Sequence, residues 1–415
     1  MRAMLRAPGL RQETAAMQII RLFLAAPHRL PFLTGTTGIA GLALWWTAYL
    51  SALFFDSPLP AQTELPGTLL HGPVMIYAAF APFIFGFLLT VFPRWMSQAD
   101  LTAMQFGPVA GPLFFGVLLI IAGIWSGTDS AILMGFVLLA GSWALAIVVL
   151  VAVLRRHGRS EAPPCWHAWS ALLGVVAGLV GAILAAGFVA SGDALLMVYA
   201  NRLGISGFLL PVFLTVAHRM IPFFAGNVVE HYVRWRPDGL LAIIWVLFVI
   251  RIASELLGNS TGTFLANGGL ACVTAFMCWK WRPRSPAPGL LKVLIWGFAW
   301  APIGFTLAAF DNATGVLGRG PDHALLVGFA GSLLVAMVTR VTQGHSGRQL
   351  TMPFAAWLAF WAIQLAAICR ILAAIRFEEG TALLIAAAVF AFGLLPWLLR
   401  NFAIYLLPRR DGKPG

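Results

Sequence analysis

Eight histidines carry most of the metal and redox chemistry this chain could perform. Imidazole ligates haem iron, copper and zinc, and paired histidines at one membrane depth are the arrangement such centres need. His71 and His323 each open a long apolar stretch on the same side of the charge pattern described below. If their helices are neighbours, the two rings share a depth and can approach one iron from opposite faces. Gly72, Gly328 and Gly331 would leave the small surfaces a porphyrin needs. The alternative for each ring is an ordinary polar helix end snorkelling to the interface. Arg202 and Arg319 fall at the same edge, where guanidinium forks suit haem propionates, although either could pair with Asp193 or Asp322 instead.

On the opposite side stand His28, His157, His167, His218, His231 and His345. His28, His218 and His345 are each close to an arginine (Arg29, Arg219, Arg348). Three imidazoles would suit copper, with a weak fourth ligand such as Met220; the competing reading is contact with lipid headgroups or loop carbonyls. His157, His167 and His231 read as solvated. Arg251 and Glu255, spaced i, i+4, read as a packing lock in a costly environment for charge. The four cysteines, Cys165, Cys272, Cys278 and Cys369, form no C-x-x-C or C-x-x-C-H, which argues against covalent haem and cysteine-bound zinc.

The elements that must position these rings follow from composition. Of the 415 residues, 60% are hydrophobic and only 10% charged, against roughly 25% charged in soluble proteins, so the expected solvent is the bilayer. A helix needs roughly 17–25 apolar residues to cross it. Twelve stretches qualify: 31–55, 69–92, 107–125, 130–154, 167–190, 195–218, 239–257, 262–280, 289–310, 321–339, 353–375 and 381–405. Period-2 alternation of the barrel type is missing from them. The expected fold is therefore all-α and polytopic, a single integral membrane domain over 1–415, with a cytoplasmic segment 1–26 and a cytoplasmic tail 406–415.

The net charge of +12 points to orientation, not nucleic acid. With the amino terminus in the cytoplasm, every Lys and Arg except Arg202, Arg251, Arg319, Arg370 and Arg376 lies at a cytoplasmic end or loop, as the positive-inside rule requires. Asp56, Glu64, Asp129, Asp193, Glu255, Asp311, Asp322, Glu378 and Glu379 fall outside. Both termini are expected inside, and residues 1–20, with Arg2, Arg6 and Arg11 but no apolar run, do not resemble a signal peptide. Gly86-Phe87-Leu88-Leu89 echoes Gly207-Phe208-Leu209-Leu210, and Thr-Val pairs followed by arginine recur before Arg94 and Arg219, with Thr339-Arg340 ending the tenth span. The echo fits three four-helix units; it also fits Thr and Arg merely marking cytoplasmic helix ends.

Two resemblances follow from longer blocks. His71-Gly72-Pro73-Val74-Met75-Ile76, with Pro82, Gly86-Phe87 and Pro93, resembles the second helix of haem–copper oxidase catalytic subunits, whose tenth helix supplies the opposite haem ligand. The chain departs from that pattern where oxygen chemistry resides: the seventh span has no adjacent histidine pair, and Pro321 stands two before His323. A closer resemblance, over nearly the whole chain, is to the NnrS family of haem- and copper-containing membrane proteins. It is carried by Pro27-His28-Arg29, by Gly86 to Trp95, by Thr215-Val216-Ala217-His218-Arg219-Met220-Ile221-Pro222-Phe223-Phe224, by Asp322-His323-Ala324 and by Thr339 to Arg348. Where some members have a second histidine two after His71, this chain has Pro73. The resemblance implies a bacterial inner-membrane protein with haem b and copper, serving nitric oxide metabolism, denitrification or the response to nitrosative stress. It implies no defined reaction. The runner-up reading is a secondary transporter of a small solute or metal, which twelve spans and inside termini would suit, although nothing at mid-membrane reads as paired discontinuous helices.

Overall fold

The computed structural model describes residues 15–58, 60–375 and 379–412. Arg2, Arg6, Arg11, Arg376 and Glu378 lie outside the described residues. Twelve helices are long and apolar enough to cross a membrane: α1 (Arg29–Phe55), α2 (Gly67–Trp95), α3 (Ala103–Ser126), α4 (Asp129–Gly158), α5 (Trp166–Ser191), α6 (Ala194–Val228), α7 (Gly239–Leu256), α8 (Ser260–Trp281), α9 (Gly289–Thr314), α10 (Gly320–His345), α11 (Phe354–Ala374) and α12 (Gly380–Tyr405). A short helix, Ala15–Phe23, precedes them, and the described residues contain no strand. Helices are the form that satisfies every backbone group without help from lipid. Helix ends use local chemistry: Thr102 and Gln105 form a reciprocal capping box at the start of α3, and the Asp193 carboxylate accepts the Leu195 N–H at the start of α6.

The apolar runs locate every span, but α6 extends ten residues past the expected end at 218. Arg219 interrupts the hydropathy without interrupting the helix. Its guanidinium lies over the Trp95 ring at 5.1 Å, with a bond to the Trp95 carbonyl.

Three helices form the centre. Burial reaches 89% of the apolar window in α2, 83% in α6 and 72% in α10, and no more than 50% in any other span. The remaining nine close a ring around them. Neighbours in that ring include α3 on α4, α4 on α5, α7 on α8, α8 on α9, α11 on α12, and α12 on α1. Exposed Val148, Leu173, Val249, Leu265 and Leu399 give the ring an apolar outer surface, as a lipid-facing wall requires. Within the core, the Tyr77 hydroxyl donates to the Ala200 carbonyl at 2.7 Å and ties α2 to α6. Phe213 of α6 meets Phe329 of α10 edge-on at 6.2 Å.

Each central helix widens into a π-helical stretch: Met75–Phe80 in α2, Leu203–Leu209 in α6 and Ala324–Gly331 in α10. Such segments are rare and gather at functional sites. The far ends of α2 and α10 also match. Ser97 and Gly347 both take the left-handed conformation, with φ of 53° and 68°. Gln98 N–H bonds to Pro93 O, and Arg348 N–H bonds to Gln343 O. One fourfold spacing of central helices, shared π stretches and a shared exit turn fit three four-helix units, each giving one helix to the centre and three to the ring.

Candidate functional site between the central helices

His71 and His323 come together where α2 and α10 begin. Their ring centroids are 6.3 Å apart and the ring planes lie within 6° of parallel. Each is fixed by a different contact. His71 stacks on the Trp46 indole of α1, with centroids 3.9 Å apart and 20° between planes. His323 Nδ1 lies 2.8 Å from the Arg319 carbonyl one turn earlier. A carbonyl can only accept, so Nδ1 carries the proton and Nε2 is the bare nitrogen, with its lone pair available. His71 Nδ1 is buried with no protein partner.

Both rings face a cavity of about 410 Å³, whose wall includes Gly72, Asn201, Arg319, Asp322 and Arg370. That volume lies in the range of small-molecule and cofactor pockets, roughly 300–1,000 Å³. Asn201 gives its amide to the Met197 sulfur, and its Oδ1 is a second buried, unpartnered polar atom on this wall. Gly72 is the glycine the site requires: a Cβ there would run into the Asn201 side chain.

The other glycines and one arginine stand elsewhere. Gly328 seats the Trp300 indole, and Gly331 faces Ile363; both serve helix packing and neither is on the cavity wall. Arg202 also stands off that wall. Its Nε lies 3.9 Å from Glu255 Oε2, the first link of a charged chain across three helices. Glu255 Oε1 accepts from Arg251 Nε at 2.9 Å, Arg251 Nη2 is 3.7 Å from Asp322 Oδ1, and Asp322 Oδ2 is 3.6 Å from Arg319 Nη1. The Arg251–Glu255 pair is thus more than an intrahelical lock, because it joins α6, α7 and α10 and ends beside His323. Arg370, absent from the sequence-derived site, lines the cavity from α11. Its place among the few outer-edge arginines was the available signal.

At the opposite end the three expected histidines do not converge. His28 and His345 pair, with centroids 4.5 Å apart and planes at 51°. His28 is buried, and its Nδ1 has no partner. Burial first, then the nearby His345 and Arg29, hold its pKa well below the ordinary imidazole range, so the ring stays neutral. His218 instead pairs with His167: His167 Nε2 and His218 Nδ1 are 2.9 Å apart, and His167 Nδ1 is 3.9 Å from Asp238. Among the described residues no three His, Cys, Asp or Glu side chains are grouped to hold a metal ion. Met220 faces an apolar chamber within the bundle. His167 and His157 are buried, against the solvated expectation; the His157 Nε2 is 3.1 Å from the Pro163 carbonyl. His231 is exposed, as expected.

A family model described as NnrS protein matches residues 22–409. The chain belongs to the NnrS family. The matched stretch includes all twelve spans, both ends of the charged chain and all three histidine pairs. No curated protein matches the chain. In this NnrS-family protein, the stretches Pro27-His28-Arg29 and Thr339 to Arg348 meet in space through the His28–His345 contact. The block around His218 ends elsewhere, against His167.

Proposed function

We propose that this NnrS-family protein binds one haem b between His71 and His323 and acts in nitric oxide metabolism or the nitrosative-stress response at the bacterial inner membrane. One observation carries the reading: two near-parallel imidazoles, 6.3 Å apart, on the wall of a 410 Å³ cavity. Two metal–imidazole bonds of about 2 Å would place the two ligating ring nitrogens about 4 Å apart. A centroid spacing of 6.3 Å is compatible with that separation if each ring presents a nitrogen toward the other. The orphaned His71 Nδ1 and the oriented His323 are the donor chemistry such a group requires.

Haem, when bound, supplies a redox-active iron whose potential depends on axial ligands and burial. The chain's own residues do the rest. The Arg319 carbonyl holds the His323 tautomer, and the Trp46 face holds the His71 ring. Arg319 and Arg370, the arginines on the wall, would bind propionates in place of the Arg202 expected from sequence. His28 and His345 are the residues that would hold copper, as a two-imidazole site without His218. With the basic loops cytoplasmic, the haem site faces outward and both termini lie inside.

The test is the absorption spectrum of the purified protein. A Soret band at one haem per chain, lost in His71→Ala and His323→Ala, is expected. Haem-free protein that moves a small solute across vesicles would overturn the reading in favour of secondary transport.

A further inference from the structure

A second, smaller chamber of about 40 Å³ lies where α2, α6 and α10 meet, closed by α1 and α9. It is lined entirely by apolar side chains, among them Phe83, Phe213, Ala217, Leu334 and Met337. A void of this size has room for a water molecule, but water needs two to four polar partners to stay, and apolar cavities of proteins remain dry and take up xenon or benzene instead.

The chamber lies between the His71–His323 pair and the His28–His345 pair. Phe80 is on the wall of the haem-site cavity, Phe213 is on the wall of the chamber, and the two rings meet edge-on at 6.4 Å. Toward the other end, Phe32 lines the chamber and meets His28 edge-on at 5.6 Å. The sequence of features is therefore cavity, Phe80–Phe213, chamber, Phe32, then His28–His345. No described charged side chain lines the chamber, so an ion or a hydrated solute has nothing there to replace its water.

We propose that the chamber is a holding site for one neutral apolar atom or diatomic gas, placed between the two histidine pairs, with Phe80 and Phe213 as the partition on the haem-site side. That the gas is nitric oxide rests on the function proposed above; the existence of the site does not.

Xenon tests the two separately. Diffraction from xenon-pressurised crystals of the full chain should show one xenon atom in the chamber, in contact with Phe213 and Leu334. Ala217→Phe, which directs a ring into the space, should abolish that xenon while the Soret band is unchanged; Val216→Phe, from the same helix, serves if the first variant does not fold. A chamber without xenon in the wild type, or xenon retained in a folded filled variant, overturns the proposal. Xenon bound in protein that never takes up haem would sustain the chamber and defeat the haem reading instead.

Discussion

His323 Nδ1 and the Arg319 carbonyl lie 2.8 Å apart, one turn apart on the same helix end. The contact uses the backbone of Arg319 and leaves its guanidinium to Asp322 and the cavity. Backbone and side chain of one residue thereby serve separate purposes, and substitution can separate them.

Arg319→Ala should therefore keep the low-spin signature of the iron while loosening haem. Because the Arg319 side chain is 75% exposed, the lost interaction is worth about 0.2–1 kcal/mol, or up to about fivefold in haem affinity. Arg370→Ala should act in the same direction. Transfer of haem to apo-myoglobin measures the loss; a change of spin state in Arg319→Ala would show that the side chain, not the carbonyl, positions the imidazole.

Removing Trp46 should act on the other ligand. The indole supports one face of His71, so Trp46→Ala frees that ring to turn. A mixed-spin spectrum at nearly full haem content is expected by electron paramagnetic resonance. Trp46→Phe should restore most of the low-spin signal.

Arg251 is 5% exposed and lies between Glu255 and Asp322. Arg251→Met leaves two carboxylates without their shared cation, a loss of about 3 kcal/mol, at the low end of the 3–5 for broken buried pairs because both acids keep some solvent. Chemical unfolding in detergent measures it. The double variant Arg251→Met with Glu255→Leu should regain part of the loss; equal instability of single and double variants would mean that the chain of charges is not coupled.

Metal analysis separates the histidine pairs at the other end. His345→Ala and His28→Ala should each release copper and retain haem. His218→Ala should retain both, because its partner is His167. Copper lost in His218→Ala but kept in His345→Ala would reverse the assignment.

Composition and periodicity suffice for the class of fold. Apolar runs of span length compel helices whatever their neighbours, because lipid offers the backbone no partner, and all twelve spans are where hydropathy places them. The pairing of His71 with His323 was legible too: both begin spans running the same way, which sets a common depth once the helices are neighbours. Azimuth was not legible. Which side of a helix faces which neighbour depends on packing among twelve elements, and hydropathy carries little of that information when nearly every position is apolar. Hence Gly328 and Gly331, on the same helix as His323, turn toward Trp300 and Ile363 instead of the cavity. His218 turns to His167 and leaves His28 with His345, and Arg370 comes onto the wall from α11 while Arg202 turns to Glu255. Depth in the membrane is a one-dimensional property that the chain's order carries by itself; direction around each helix axis exists only after the bundle has closed.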